Sequence, residues 1–309
     1  MPAWLAIGGA VSVGVLTAAQ ARVNGQLGLR LEDGFVAAVV SFGSGMIVLA
    51  VLSVVMPSGR RGLAQLRDGV RQRSIPWWML AGGAAGALTV ATQGLAVAVI
   101  GVSLFTVGVV AGQTLSGLVL DRIGYGPAGV VAVTMPRVVG GAFALGAVAI
   151  SLQGGVLERV PWWMLVLPVL AGIGIAWQQA TNGRLRQRVG TPLTATLVNF
   201  VGGTAILAVA AVVEVALAGA PAAPPAEPWL YLGGVIGVVY IAISAALVVH
   251  TGVLLLGLGA VTGQLVTAFV LDMLWPPDAG SGWQLQLLMI VVAGAGVVVA
   301  AAPWRARRR

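Results

Sequence analysis

Apolar residues along this chain of 309 residues fall into long runs, separated by short gaps that carry charge, proline or tryptophan. The runs are roughly Trp4–Ala21, Phe35–Met56, Trp77–Ile100, Val102–Leu120, Val138–Leu157, Trp162–Thr181, Leu193–Ala218, Trp229–Val249, Gly252–Leu271 and Trp283–Ala302. Each comes close to the ~20 residues a helix needs to cross the hydrocarbon core of a bilayer. The pattern therefore predicts an all-α polytopic membrane protein with ten transmembrane helices. The third and fourth runs are joined almost without a loop, and so are the eighth and ninth. Trp4, Trp77, Trp162, Trp229 and Trp283 mark span ends, where amphipathic rings prefer the interface.

The repeated tight connection belongs to a larger duplication. Gln20-Ala21-Arg22-Val23-Asn24-Gly25 aligns with Gln178-Gln179-Ala180-Thr181-Asn182-Gly183, and at the same spacing Ser41-Phe42 meets Asn199-Phe200. Further on, Gly82-Gly83 and Gly86 match Gly233-Gly234 and Gly237. Gly108, Gly112-Gln113 and Leu120-Asp121 match Gly259, Gly263-Gln264 and Leu271-Asp272. The chain reads as two homologous five-helix repeats, residues 1–157 and 158–309. Five is odd, so the second repeat enters the membrane from the opposite side, and the repeats are inverted.

Arginine placement tests that topology, because basic loops stay in the cytoplasm. With the N-terminus inside, the cytoplasmic face receives Arg60, Arg61, Arg67, Arg71 and Arg73, then Arg122 and Arg137, then Arg184, Arg186 and Arg188, and the tail Arg305 and Arg307–Arg309. The other face receives Arg22, Arg30 and Arg159. Both termini are therefore expected in the cytoplasm, in a bacterial-type inner membrane. In the long arginine-rich loop, Leu63, Leu66 and Val70 share one face of a short helix expected to lie on the anionic leaflet. Residues 220–225, rich in alanine and proline, read as an extended linker.

Composition narrows the function further. Hydrophobic residues make up 59% and charged residues 8%, against about 25% charged in soluble proteins, which excludes a soluble enzyme. The net charge of +8 is carried entirely by arginine. It lies in gaps between apolar runs and not on a folded soluble face, so nucleic acid is not an expected partner. The absence of lysine removes the nucleotide-binding G-x-x-x-x-G-K-[ST] loop. The absence of cysteine removes thiolate chemistry, and His250 alone leaves little room for a histidine metal site. The stretch Leu5–Leu16 with Ala19-Gln20-Ala21 resembles a signal peptide, but no basic residue precedes Arg22. It is read as the first span. No constellation for hydrolysis or group transfer is present, so no enzyme, metal or cofactor is expected.

Intramembrane polarity is left to carry function. Gln113 and Gln264 occupy the middles of the fourth and ninth helices, each after a glycine pair that admits close backbone approach. They are either interhelical hydrogen-bonding residues or a pseudo-twofold pair lining a midplane cavity, where inverted-repeat transporters bind solute. Gln93, Tyr240 and Asn199 lie at similar depth, as do Thr89 and Ser244, and would suit a neutral or weakly polar solute. Glu214, the one acid inside a span, is a candidate for proton coupling. Asp121 and Asp272 each end a helix, where a carboxylate faces the negative end of the dipole. That implies a structural latch to an arginine or to the amides of the next turn. Gln20 with Asn24, and Gln178 with Asn182, are i,i+4 pairs. There the Asn-Gly step is expected to stop the helix, so these amides either satisfy helix-end carbonyls or form a polar gate. His250 is assigned no role.

These residues also carry a resemblance. Q-x-x-x-N-G in each half, the (S/N)-F-x-x-G segment and the G-Q segment with its following aspartate resemble the drug/metabolite transporter superfamily, in particular its YdcZ-type branch. The chain looks like two such five-helix units fused. The resemblance implies a secondary transporter of the inner membrane that works by alternating access, and it supplies no solute. The small multidrug exporters of the superfamily use a first-helix glutamate. This chain has none there, so their cation–proton exchange does not carry over. Asp121-Arg122-Ile123-Gly124 becomes Asp272-Met273-Leu274-Trp275 in the second half. The expected protein is a monomeric or homodimeric carrier of a small metabolite or drug-like solute. The rivals are a lipid or amphiphile translocator and a non-transporting scaffold subunit.

Overall fold

The computed structural model describes residues 3–151, 160–276 and 282–301, and every regular element among them is helical. The helices are α1 (Ala3–Leu31), α2 (Gly34–Val55), α3 (Pro57–Arg71), α4 (Gly82–Arg122), α5 (Met135–Ser151), α6 (Trp162–Val189), α7 (Pro192–Ala218), α8 (Gly233–Leu274) and α9 (Trp283–Ala301). Short 3-10 turns, Trp77–Leu80 and Pro228–Tyr231, lead into α4 and α8. The residue division at 157/158, Arg159 and the arginine tail from 305 onward lie outside the described residues.

α4 and α8 each contain one break. Gly101 sits at φ 82°, ψ 161° and Gly252 at φ 71°, ψ 174°, a region essentially closed to residues with a Cβ. The chain reverses there. Gly82 abuts Asn182 and Gly183 abuts Val248, while the other end of α4 brings Asp121 to Val253, and in between Gly94 packs on Gly34 at the opposite face. Each broken helix thus supplies two crossings at the tight connections that the apolar pattern marks. With α1, α2, α5, α6, α7 and α9 they make ten. Gly34–Val55, Trp77–Arg122, Trp162–Val189, Pro192–Ala218 and Pro228–Val253 are by themselves long and apolar enough to cross a membrane.

The repeats interlock. α1 lies along the second arm of α8, and α6 lies along the second arm of α4. Gly14 and Gly263 place backbone against backbone in the first pair, and the equivalent Gly172 and Gly112 do so in the second. A Cβ at any of these four positions would overlap main-chain atoms of the partner helix, the close approach that small residues permit between membrane helices. α2 and α7 meet through Phe42 and Phe200, stacked with centroids 4.7 Å apart. These two rings are repeat equivalents, so the pseudo-twofold axis passes through the stack.

The distribution of side chains is inverted relative to a soluble protein. Val54, Val55, Val209, Val212 and Leu217 are exposed. Glutamine and asparagine side chains, by contrast, fill the centre. An outer surface of this kind is stable against lipid, where only fully hydrogen-bonded helices can stand.

One expectation needs correction. The Asn-Gly steps do not end helices, since α1 continues to Leu31 and α6 to Val189. Gly25 and Gly183 instead face Val97 and Val248 at distances that leave no room for a Cβ, so they serve packing. The chain turns later, through the left-handed Glu32 (φ 53°) and Gly190 (φ 72°), and the equivalent Asp33 and Thr191 then cap α2 and α7. Gln20, Asn24, Gln178 and Asn182 therefore stand within helices, not at their ends, and Arg22 lies inside α1. α3 is the short helix expected in the arginine-rich loop; Gly59, Gly62 and Gly69 are its buried residues, Leu63 and Leu66 are half-buried and Val70 is exposed. Gly62 seats against Thr191 and Thr194, so α3 docks on the bundle by close approach.

Candidate functional site

Gln20 and Asn24 share one face of α1, and that face meets the first arm of α8. Gln20 Nε2 donates to the Gly233 carbonyl at 2.7 Å, and Asn24 Nδ2 donates to Gln93 Oε1 on α4 at 2.8 Å. Asn24 and Ser41 press against Gly233, and Gln20 presses against Gly237. The related cluster joins α6, α7 and α4. Gln178 Nε2 and Asn182 Nδ2 both donate to Asn199 Oδ1, at 3.0 and 3.1 Å, while Asn182 abuts Gly82 and Gln178 abuts Gly86. The Q-x-x-x-N motif of each repeat is thus the counterpart of the Gly-Gly-x-x-Gly motif of the other. Both motifs were legible in the sequence, but their mating was not.

The two clusters lie toward opposite faces of the bundle, and every amide in them is at most 3% exposed. Buried amides of this kind are held by mutual bonding, yet Gln20 Oε1, Asn24 Oδ1, Gln93 Nε2 and Asn199 Nδ2 have no partner.

Two small cavities, each of about 10 Å³, lie between the clusters. The first is bounded by Thr17, Ala18, Ala21, Gln93, Phe105, Thr106, Val109, Ile175 and Gln264. The second is bounded by Ile175, Gln178, Gln179, Asn182, Tyr240, Ile241, Ser244 and Ala245. A space of that size admits about one water. Ile175, a wall of both, separates them.

The sequence-proposed solute residues distribute unevenly over this path. Gln93 and Gln264 line the first cavity, and Tyr240 with Ser244 lines the second. Asn199 bonds to the two amides that wall the second. Gln113 lines neither and donates to Gln179 Oε1 at 3.5 Å. Thr89 bonds to its own helix at Ala85. Glu214, half-buried on α7, lines neither cavity. Sequence reasoning missed Phe105, Thr106, Ile175 and Gln179. The first three show no polarity out of place, and Gln179 was visible only as the counterpart of Ala21.

Asp121 and Asp272 find partners across the repeat boundary. Asp272 Oδ1 and Oδ2 accept from the amides of Val102 and Ser103, at 3.0 and 2.8 Å. Asp121 Oδ1 accepts from Val253 at 3.2 Å, and its Oδ2 lies 3.6 Å from Arg137. Each aspartate, at the end of one broken helix, caps the second arm of the other broken helix just past its glycine. The carboxylate therefore faces the positive end of a different helix dipole, which offsets its own unfavourable position. The amides are those of the opposite repeat and not of the next turn.

An inverted ten-crossing helical bundle with buried amide clusters defines a polytopic membrane protein. One family, described as "Putative inner membrane exporter, YdcZ", matches the chain twice, over residues 5–150 and 162–299. The chain belongs to this YdcZ family as two fused units. The family's description is of an inner-membrane exporter. No match was found among curated proteins.

Proposed function

We propose that the protein is a secondary transporter that moves a small solute across the inner membrane by alternating access, both termini lying in the cytoplasm. The two repeats, divided near 157/158, rock about the Phe42–Phe200 axis. The observation that carries this reading is the pair of symmetry-related amide clusters, one toward each face, with the cavities between them. Separating α1 from the first arm of α8 opens one side, and separating α6 from the first arm of α4 opens the other. Asp121 and Asp272 hold the turning points of the broken helices while the arms move. Glu214 touches neither cavity, so solute movement is proposed without it. A lipid translocator would need a path opening sideways, but the cavities are lined only by α1, α4, α6 and α8.

Thermal unfolding of the purified protein in mild detergent, across a panel of metabolites, drugs and lipids, tests the reading. A ligand at 100 times its Kd adds about 2.7 kcal/mol to stability. A response abolished in Gln264→Ala, with matching loss of uptake into vesicles, supports a carrier. A response to lipids alone supports the amphiphile translocator. Silence throughout, with a fixed protein partner retained on purification, supports the scaffold.

A further inference from the structure

The two cavities are walled in part by repeat-equivalent positions, Ala21 and Gln93 in the first and Gln179 and Ser244 in the second. Gln113 and Gln264 are repeat equivalents, as are Gln179 and Ala21. In one half Gln179 Oε1 accepts from Gln113 Nε2 at 3.5 Å. In the other half the counterpart is the Ala21 methyl group, which lines the first cavity together with Gln264, and the Oε1 atoms of both Gln113 and Gln264 have no partner. In the wall of the first cavity, Gln93 Nε2 is also unpartnered, because Asn24 occupies only the Oε1 of that amide. Both glutamines are at most 2% exposed. The residues that wall the site therefore carry one unpartnered acceptor and one unpartnered donor, Phe105 adds an aromatic ring, and none of them is ionisable.

We infer, resting on the transport reading above, that this cavity is the solute seat, that Ala21 is its specificity-determining residue, and that the solute is a flat, uncharged molecule carrying a hydrogen-bond donor beside an acceptor, as a primary amide does. An ion would leave water for a site with no counter-charge, at a cost far above what two amide bonds return. A neutral amide instead satisfies both orphaned groups, each of which is costly to leave unpaired. The seat enlarges when the α1 cluster opens, since Ala18 and Ala21 lie on the same helix as Gln20 and Asn24.

The test uses benzamide, benzoate and benzamidine, three probes of one shape and different charge, on the full chain in detergent. Benzamide is expected to raise the unfolding temperature of the wild type, and the two ions are not. Ala21→Gln restores the pairing seen at Gln113–Gln179. It is expected to keep the wild-type unfolding temperature while weakening benzamide at least about tenfold, a loss equivalent to about 1.4 kcal/mol. The chain has no cysteine, so Ala21→Cys supplies a single thiol. Uncharged N-ethylmaleimide should modify it, benzamide should slow that reaction, and sulfonated or trimethylammonium thiol reagents should fail.

Equal benzamide responses in wild type and Ala21→Gln, or benzoate or benzamidine acting as well as benzamide, overturn the inference. So does a wild type unresponsive to benzamide. Gln20→Cys and Gln178→Cys in sealed vesicles keep the transport reading separate, because they report opening at each face whatever the solute. If each is labelled from its own side while benzamide has no effect, transport stands and this seat falls.

Discussion

The two turning points and the two midplane glutamines occupy related places in the two repeats, yet their surroundings differ. Asp272 accepts from the amides of Val102 and Ser103, whereas Asp121 accepts from Val253 and also lies 3.6 Å from Arg137. Gln113 has a side-chain partner in Gln179, whereas Gln264 faces Ala21 and a cavity. The helix contacts that hold the bundle are kept in pairs, with Gly14 matching Gly172 and Gly112 matching Gly263. Symmetry is retained where backbones touch, because no larger residue fits there. It is lost where a side chain can be exchanged without moving a helix, and that is where a solute can be selected.

The largest effect is expected from breaking what the repeats share. Gly172→Leu and Gly14→Leu each force a side chain into the main chain of the partner helix and should destabilise by about 3 kcal/mol or more. Thermal unfolding in detergent should show the two losses to be similar. If one is tolerated, the backbone contact is not equivalent in the two halves.

Next come the aspartates. Asp272→Ala leaves two amides without their charged acceptor and should cost about 2–3 kcal/mol, the range for a hydrogen bond to a charged group. Asp121→Ala leaves Arg137, little exposed at 13%, without its counter-ion and should also destabilise. The two losses should add in the double variant because the two turning points lie at opposite faces of the bundle. Strong non-additivity would mean that the turning points communicate.

A smaller effect should separate the two glutamines. Gln113→Leu strands Gln179 and should cost about 1–2 kcal/mol. Gln264→Leu removes an acceptor that already lacks a partner and should leave stability unchanged or slightly raised. In vesicle uptake the order should reverse, with Gln264→Leu the more damaging.

The smallest effect lies at the α1–α2 and α6–α7 corners. Glu32→Gly should stabilise by up to about 1 kcal/mol, since Glu32 holds the left-handed conformation that its counterpart Gly190 adopts without strain. Gly190→Ala should lose a similar amount. Equal unfolding temperatures for Glu32→Gly and the wild type would show that the corner is not under strain.

Much of this architecture was legible in the chain. The ten crossings, the inverted duplication and the tight connections at Gly101 and Gly252 follow from runs of apolar residues and from spacing. Both are local properties, set by bilayer thickness and by what glycine alone permits. The Asn-Gly steps misled for the same reason. Read locally, a glycine after asparagine looks like a helix stop, but Gly25 and Gly183 are glycine because a neighbouring helix passes close by.

By itself, the sequence determined the membrane setting, the number of crossings, the repeat and the identities of the buried amides. Only the tertiary structure decided which repeat each motif serves. It set Gln20 and Asn24 against the glycines of the other half, turned Asp121 and Asp272 toward amides more than a hundred positions away in the chain, and left Gln264 facing a space while Gln113 found Gln179. The physical reason is that hydrophobic patterning fixes how each helix meets lipid, whereas the pairing of buried polar groups depends on which helices the close backbone contacts bring side by side.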